Sequence, residues 1–147
     1  MGRILALDYG SKRVGIAVSD PLQLIANALA TVHPDELMAF LAGYFGKEKV
    51  DTVVVGDPRK ENMEASKTAD YIRPFLRKFR DRFPAMELRM FDERYTTRLA
   101  GRALIEGGAK LKTRRDKPLK DRMSATILLT SYLDYRKITL ERNRPGR

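Results

Sequence analysis

The chain has 147 residues, one domain's worth, and 43% of them are hydrophobic, enough for a core and too many for global disorder. It holds no cysteine and a single histidine, His33, which excludes disulfides, thiolate metal sites, cysteine nucleophiles and multi-histidine centres. The formal charge is +10, no stretch approaches the ~20 apolar residues of a membrane span, and the first apolar run is too short for a signal peptide, so the expected location is cytoplasmic.

Ile4-Leu5-Ala6-Leu7 reads as a strand buried on both faces, ending at Asp8. Gly10 and Ser11 turn the chain into a second strand, Val14-Gly15-Ile16-Ala17-Val18, so the two form an antiparallel hairpin. A third strand is expected over residues 28–32, followed by a helix over 34–46 with acids in its first turn. Asp51-Thr52-Val53-Val54-Val55 is β-branched and predicts a fourth strand, closed by Gly56-Asp57-Pro58. Ala69, Ile72, Leu76 and Phe79 recur at helical spacing and predict a helix over 65–83, broken by Pro84. Leu88-Arg89-Met90-Phe91 is a short fifth strand running into Asp92-Glu93. Thr96 or Thr97 can cap a further helix ending at Gly107-Gly108; a basic loop over 109–120 and a last helix over 121–136 complete the set.

A hairpin meander followed by αβ units predicts an α/β domain over residues 1–136. Its expected sheet is five-stranded and mixed, three antiparallel strands then two parallel, with helices on both faces. Residues 137–147, rich in arginine with a Pro-Gly, are expected to form a basic, flexible tail.

Three acids stand where chemistry is placed in such sheets, outside the carboxyl ends of strands. Asp8 ends the first strand; alone it equally suits a turn residue bonding nearby amides. Glu93 follows the fifth strand, with Phe91 and Arg89 on its face and Asp92 on the other, so only one of the two acids can point where Asp8 points. Asp121 opens the last helix and shares a stripe with Ala125, Leu128 and Tyr132; it can face the sheet or serve as an N-cap. Three converging carboxylates would repel one another unless a cation neutralised them. Carboxylates suit hard ions, so Mg²⁺ or Mn²⁺ is expected, in the pattern of two-metal phosphodiester cleavage.

The chain resembles the YqgF family. Asp8-Tyr9-Gly10 with Arg13-Val14-Gly15-Ile16-Ala17-Val18-Ser19-Asp20 is similar to its opening signature. Val53-Val54-Val55-Gly56-Asp57-Pro58, Phe91-Asp92-Glu93-Arg94-Tyr95-Thr96-Thr97 and Lys120-Asp121-Arg122-Met123-Ser124-Ala125 resemble its later blocks, in family order, over nearly all of residues 3–135. Members are described as pre-16S ribosomal RNA nucleases or Holliday-junction resolvases. The resemblance implies a ribonuclease H-like fold and divalent-metal nuclease chemistry, with Asp8, Glu93 and Asp121 as the catalytic, metal-holding cluster. Asp57 departs from the apolar or aromatic residue common there and is read as a turn residue; Ser124-Ala125 replaces the family's paired alanines.

Residues 94–147 hold 15 Lys/Arg against 5 Asp/Glu, whereas residues 1–93 hold 14 of each, so the surplus is one-sided, as expected of a partner to a phosphate backbone. Lys110, Lys112, Arg114, Arg115 and Lys117 precede Asp121 in the basic loop, Arg94 and Arg98 follow Glu93, and Lys12 and Arg13 lie in the first turn. All nine can position phosphates without reading sequence, or simply be solvated. Tyr9 and Tyr95 can stack on bases or pack in the core. The leading expectation is a nuclease for structured RNA, acting at the 5′ end of pre-16S ribosomal RNA, as monomer or homodimer. A resolvase of four-way DNA junctions is the alternative, and a non-catalytic nucleic-acid-binding factor is the alternative of another class. A sugar-kinase or actin-type ATPase shares the Asp-x-Gly opening but needs two such domains, more than this length holds.

Overall fold

The computed structural model describes residues 1–10, 12–57, 63–92 and 117–142, with side chains for 1–10, 12–57, 70–92 and 123–139. Among them the order is β1 (Arg3–Tyr9), β2 (Val14–Ser19), β3 (Ala26–Val32), α1 (Pro34–Lys47), β4 (Val50–Asp57), α2 (Met63–Arg82), β5 (Glu87–Asp92) and α3 (Lys117–Arg142). The strands form one sheet in the order β3-β2-β1-β4-β5. β1 pairs antiparallel with β2, β2 antiparallel with β3, and β4 parallel with both β1 and β5. This is the expected mixed sheet, and it has the ribonuclease H-like architecture.

The greasiest segments became the innermost strands because only there are both faces covered. Ile4, Leu5, Ala6 and Leu7 of β1 and Val53, Val54 and Val55 of β4 have no exposed surface. Alternation sorts them between two cores. Leu5, Leu7, Val53 and Val55 pack with Leu37 and Leu41 of α1 and with Ile72, Phe75 and Phe79 of α2. Ile4, Ala6, Val54 and Phe91 pack with Ala125, Leu128, Leu129, Tyr132 and Leu133 of α3, which lies across β1, β2 and β3. Helices therefore cover both faces, as expected.

His33 caps α1: its Nδ1 accepts the Asp35 N–H at 3.1 Å, and Pro34 occupies the first helical turn, where its missing N–H costs nothing. Several boundaries differ from expectation. β3 begins at Ala26, α2 spans Met63–Arg82, and β5 runs on to Asp92. α3 begins at Lys117, inside the expected loop, because Pro118 in a first turn forfeits no hydrogen bond. It continues to Arg142, so residues 137–142 are helical where a tail was expected; the stop signals Asn143, Pro145 and Gly146 follow directly. The helix expected between Thr96 or Thr97 and Gly107-Gly108 lies outside the described residues. Among the described residues no helix is long and apolar enough to cross a membrane.

Candidate active site at the carboxyl edge of the sheet

Asp8 is the penultimate residue of β1, paired with Gly15 and half-buried. It shares the parity of Ile4 and Ala6, so it belongs to the face covered by α3. The turn beside it is tight. The Gly10 N–H donates to the Arg13 carbonyl at 2.9 Å, and a Cβ on Gly10 would stand 2.8 Å from that same oxygen. Only glycine fits, which is the physical content of the Asp8-Tyr9-Gly10 sequence. Lys12 is exposed and Arg13 half-buried in this turn. Tyr9 packs rather than stacks on a ligand: its ring meets Phe75 at 5.3 Å, and burial, with the Asp35 charge second, pushes its hydroxyl pKa up.

The neighbouring strand ends are acidic too. Asp57 and Asp92 are register partners at the ends of β4 and β5. Asp57 is thus a strand residue, where a turn was expected. By alternation both follow Val53, Val55, Leu88 and Met90, which face α1 and α2, away from Asp8. Phe91 lies on Asp8's side, in the α3 core. Asp92 thus has the parity opposite to Phe91, and with Asp57 it also lines the cavity beside α3. Glu93, Arg94, Arg98, Lys110, Lys112, Arg114, Arg115 and Tyr95 lie outside the described residues, as do the side chains of Lys117 and Asp121. Among the described residues no three metal-ligating side chains converge.

The backbone of α3 nevertheless bears on Asp121. Since the helix begins at Lys117, Asp121 is one turn inside it and is no N-cap. Ala125, Leu128 and Tyr132 are buried, so the stripe they form faces the sheet. The far half of α3 is tied to the start of β1. Arg136 Nη1 donates to Gln23 Oε1, and Gln23 Nε2 donates to the Gly2 carbonyl at 2.6 Å, just before β1. Tyr132 and Tyr135 meet Phe91 of β5, and the helix as a whole crosses β1, β2 and β3.

Sequence reasoning missed three features. Nothing marked Gln23, whose φ of 60° and long-range bonds emerge only from the fold. A cavity of about 710 Å³ lies between β5 and the second half of α3, lined by Arg89, Phe91, Tyr132, Tyr135 and Arg136 among others. In it Phe91 meets Tyr132 edge-on at 5.6 Å, and burial raises the Tyr132 hydroxyl pKa against the opposing pull of Arg89 and Arg136. The third feature, the cations of α2, was hidden by counting the first 93 residues as neutral.

A five-stranded ribonuclease H-like sheet with an aspartate closing its central strand defines the class of this protein. In fold it is similar to T. thermophilus RuvC, solved in complex with Holliday junction substrate, at a TM-score of 0.54 and 17% identity over 93% of this chain and 96% of that one. It is likewise similar to the fowlpox virus Holliday junction resolvase, at a TM-score of 0.51 and 16% identity over 91% and 99%. More particularly, the chain belongs to the RuvX family, described as Holliday junction resolvase, whose model matches residues 2–135; this is the YqgF family its motifs resemble. A relative in Bacteroides thetaiotaomicron, named "Putative pre-16S rRNA nuclease", is 49% identical over 93% of this chain and 99% of its own. One of the same name in Flavobacterium psychrophilum is 47% identical over 90% and 97%.

Proposed function

We propose that this protein is a nuclease that hydrolyses phosphodiester bonds in nucleic acid, and that its substrate is the 5′ end of pre-16S ribosomal RNA. Family membership supports the reaction class, and the names of the relatives support the substrate. The observation that supports the site is Asp8 near the end of β1, on the parity of Ile4 and Ala6, whose face α3 covers, with Asp121 one turn inside that helix. Glu93, next on the parity of Phe91, is the third member. Asp8, Glu93 and Asp121 together form the catalytic cluster, and all three are oxygen donors.

Such a donor set fits Mg²⁺ or Mn²⁺, since the one histidine caps α1 and there is no thiolate. The ion, when bound, supplies the positive charge that stabilises water adding to phosphorus and the sugar oxygen departing. Asp8 is held for this role by its pairing with Gly15 of β2, one residue past the last β1–β4 pair, Leu7 with Val55, which fixes its backbone before any ligand arrives. Lys12 and Arg13 in the Gly10 turn, Arg94 and Arg98 after Glu93, and Lys110, Lys112, Arg114, Arg115 and Lys117 before Asp121 are assigned to phosphates on the substrate strand. We take residues 1–136 as the nuclease domain, with α3 carrying on beyond it, and place the protein in the cytoplasm.

Cleavage of a precursor 16S ribosomal RNA and of a four-way DNA junction, by wild type and Asp8→Asn, with Mg²⁺ or Mn²⁺ and with chelator, tests this reading. Metal-dependent cutting of the precursor that Asp8→Asn loses is the expected result. Preference for the junction, which the family's description favours and which would call for a homodimer with two sites, would replace the substrate. Binding without cutting either would leave a non-catalytic factor.

A further inference from the structure

The last ten residues of α2 present a surface that the reaction above does not use. Between Arg73 and Arg82 the helix carries Arg73, Arg77, Lys78, Arg80 and Arg82 against Asp81 alone, and all six are exposed. At helical spacing Arg73, Arg77 and Arg80 form one stripe, while Lys78 and Arg82 lie on the other flank with Tyr71, which is 55% exposed. Arg73 reaches Asp70 at 3.9 Å, with both side chains largely solvated. Among the described residues Arg77, Lys78 and Arg80 have no carboxylate within ion-pair distance. The helix dipole favours cations in a last turn and accounts for Arg80 and Arg82; it gives no reason for Arg73, Arg77 or Lys78, placed further back.

The position of the stripe is the second observation. Phe75 meets Tyr9, the residue after Asp8, at 5.3 Å. Arg73 and Arg77 stand two residues to either side of Phe75 on the opposite, solvent-facing side of the helix. The cations therefore begin level with the site edge of the sheet and run from it over the face away from α3.

We infer that this stripe on α2 is a second nucleic-acid-binding surface, which holds the sugar-phosphate backbone of a duplex arm flanking the cleaved segment. The inference rests on the nucleic-acid reading above and adds where the substrate lies beyond the scissile bond. Three largely solvated guanidinium groups on one rigid helix face suit a repeating anion and carry no means of reading bases. The surface therefore contributes affinity and orientation, with the salt dependence of counterion release.

Binding to a long-stemmed RNA hairpin, measured with chelator present so that no cleavage intervenes, tests it. The full chain is compared with Arg73→Glu/Arg77→Glu, with the milder Arg73→Gln/Arg77→Gln, and with Lys47→Glu/Lys49→Glu, which changes net charge equally at the far end of the sheet. Between about 50 and 200 mM salt, the glutamate pair on α2 should bind roughly tenfold more weakly or worse and lower the slope of log K against log salt by about 2. The glutamine pair should lower the slope in the same sense, and the Lys47/Lys49 pair should leave it unchanged. Equal slopes for all four proteins, or an equal loss in the Lys47/Lys49 control, would overturn the inference. So would unchanged RNA binding with loss of binding to vesicles containing phosphatidylglycerol, which would assign the stripe to a lipid surface. The nuclease reading stands or falls separately, on metal-dependent cutting by the wild type once the chelator is removed.

Discussion

Gly10 is the tightest point of the hairpin that carries Asp8. A methyl group there would meet the Arg13 carbonyl at 2.8 Å, and that oxygen is backbone already bonded to the Gly10 N–H. Gly10→Ala should cost about 1–3 kcal/mol, read as a lower urea midpoint at unchanged m-value, and should weaken activity by moving Asp8. Asp8→Asn keeps shape and removes charge. It should lower metal-dependent cleavage by about a hundredfold or more while leaving the thermal midpoint near that of wild type. Asp20 makes a prediction about pH. Its carboxylate accepts the N–H groups of Ile25, Leu24 and Leu22, with the Ile25 bond the largest cause, and its pKa is held below the usual 3.8. A depressed folded pKa means that the contribution is present above the unfolded value and is lost as pH falls through the folded one. Acid titration of stability should therefore show a loss beginning below about pH 4 in wild type that is smaller in Asp20→Asn.

At the scale of elements, α3 covers the face of the sheet on which Asp8 lies, and the proposed site depends on it. It packs through Ala125, Leu128 and Leu129 and is oriented by Arg136 and Gln23 at its far end. Leu129 is fully buried, so Leu129→Ala should destabilise by about 2–5 kcal/mol in denaturant titration. The aspartates at the ends of β4 and β5 show how much a strand's period decides. Alternation visible in Leu88-Arg89-Met90-Phe91 already separated Asp92 from the parity of Glu93, and the core memberships of Phe91 and Met90 say which face is which. The helix start expected at Asp121 was a boundary error of one turn. Its cause is that Pro118 reads as a breaker in a loop but is equally at home in a helix's first turn. His33, a lone candidate for chemistry by residue type, spends its ring nitrogen on capping α1.

For the molecule as a whole, the sheet separates two surfaces: Asp8 and α3 on one face, a cationic helix on the other. Removing divalent ions from the nuclease should abolish cleavage yet leave the fold in place, because both cores are apolar and complete among the described residues without a metal. Circular dichroism and a melting curve with and without chelator check this; a large drop in midpoint would mean the metal is structural.

The strands, their order of appearance, the mixed pairing and the acids at strand ends were legible in the chain, because hydrophobic period and turn residues are local properties that survive in one dimension. The tie between α3 and the start of β1 was not. It depends on a bond between residues 113 apart, and a glutamine carries no pattern announcing its partner. Nor was the stripe on α2 visible in a net charge of zero, since acids elsewhere in the first 93 residues cancel it in a sum but not in space. Asp8 was thus readable as the end of a strand. The side of the sheet on which it faces is a consequence of packing two apolar faces against helices.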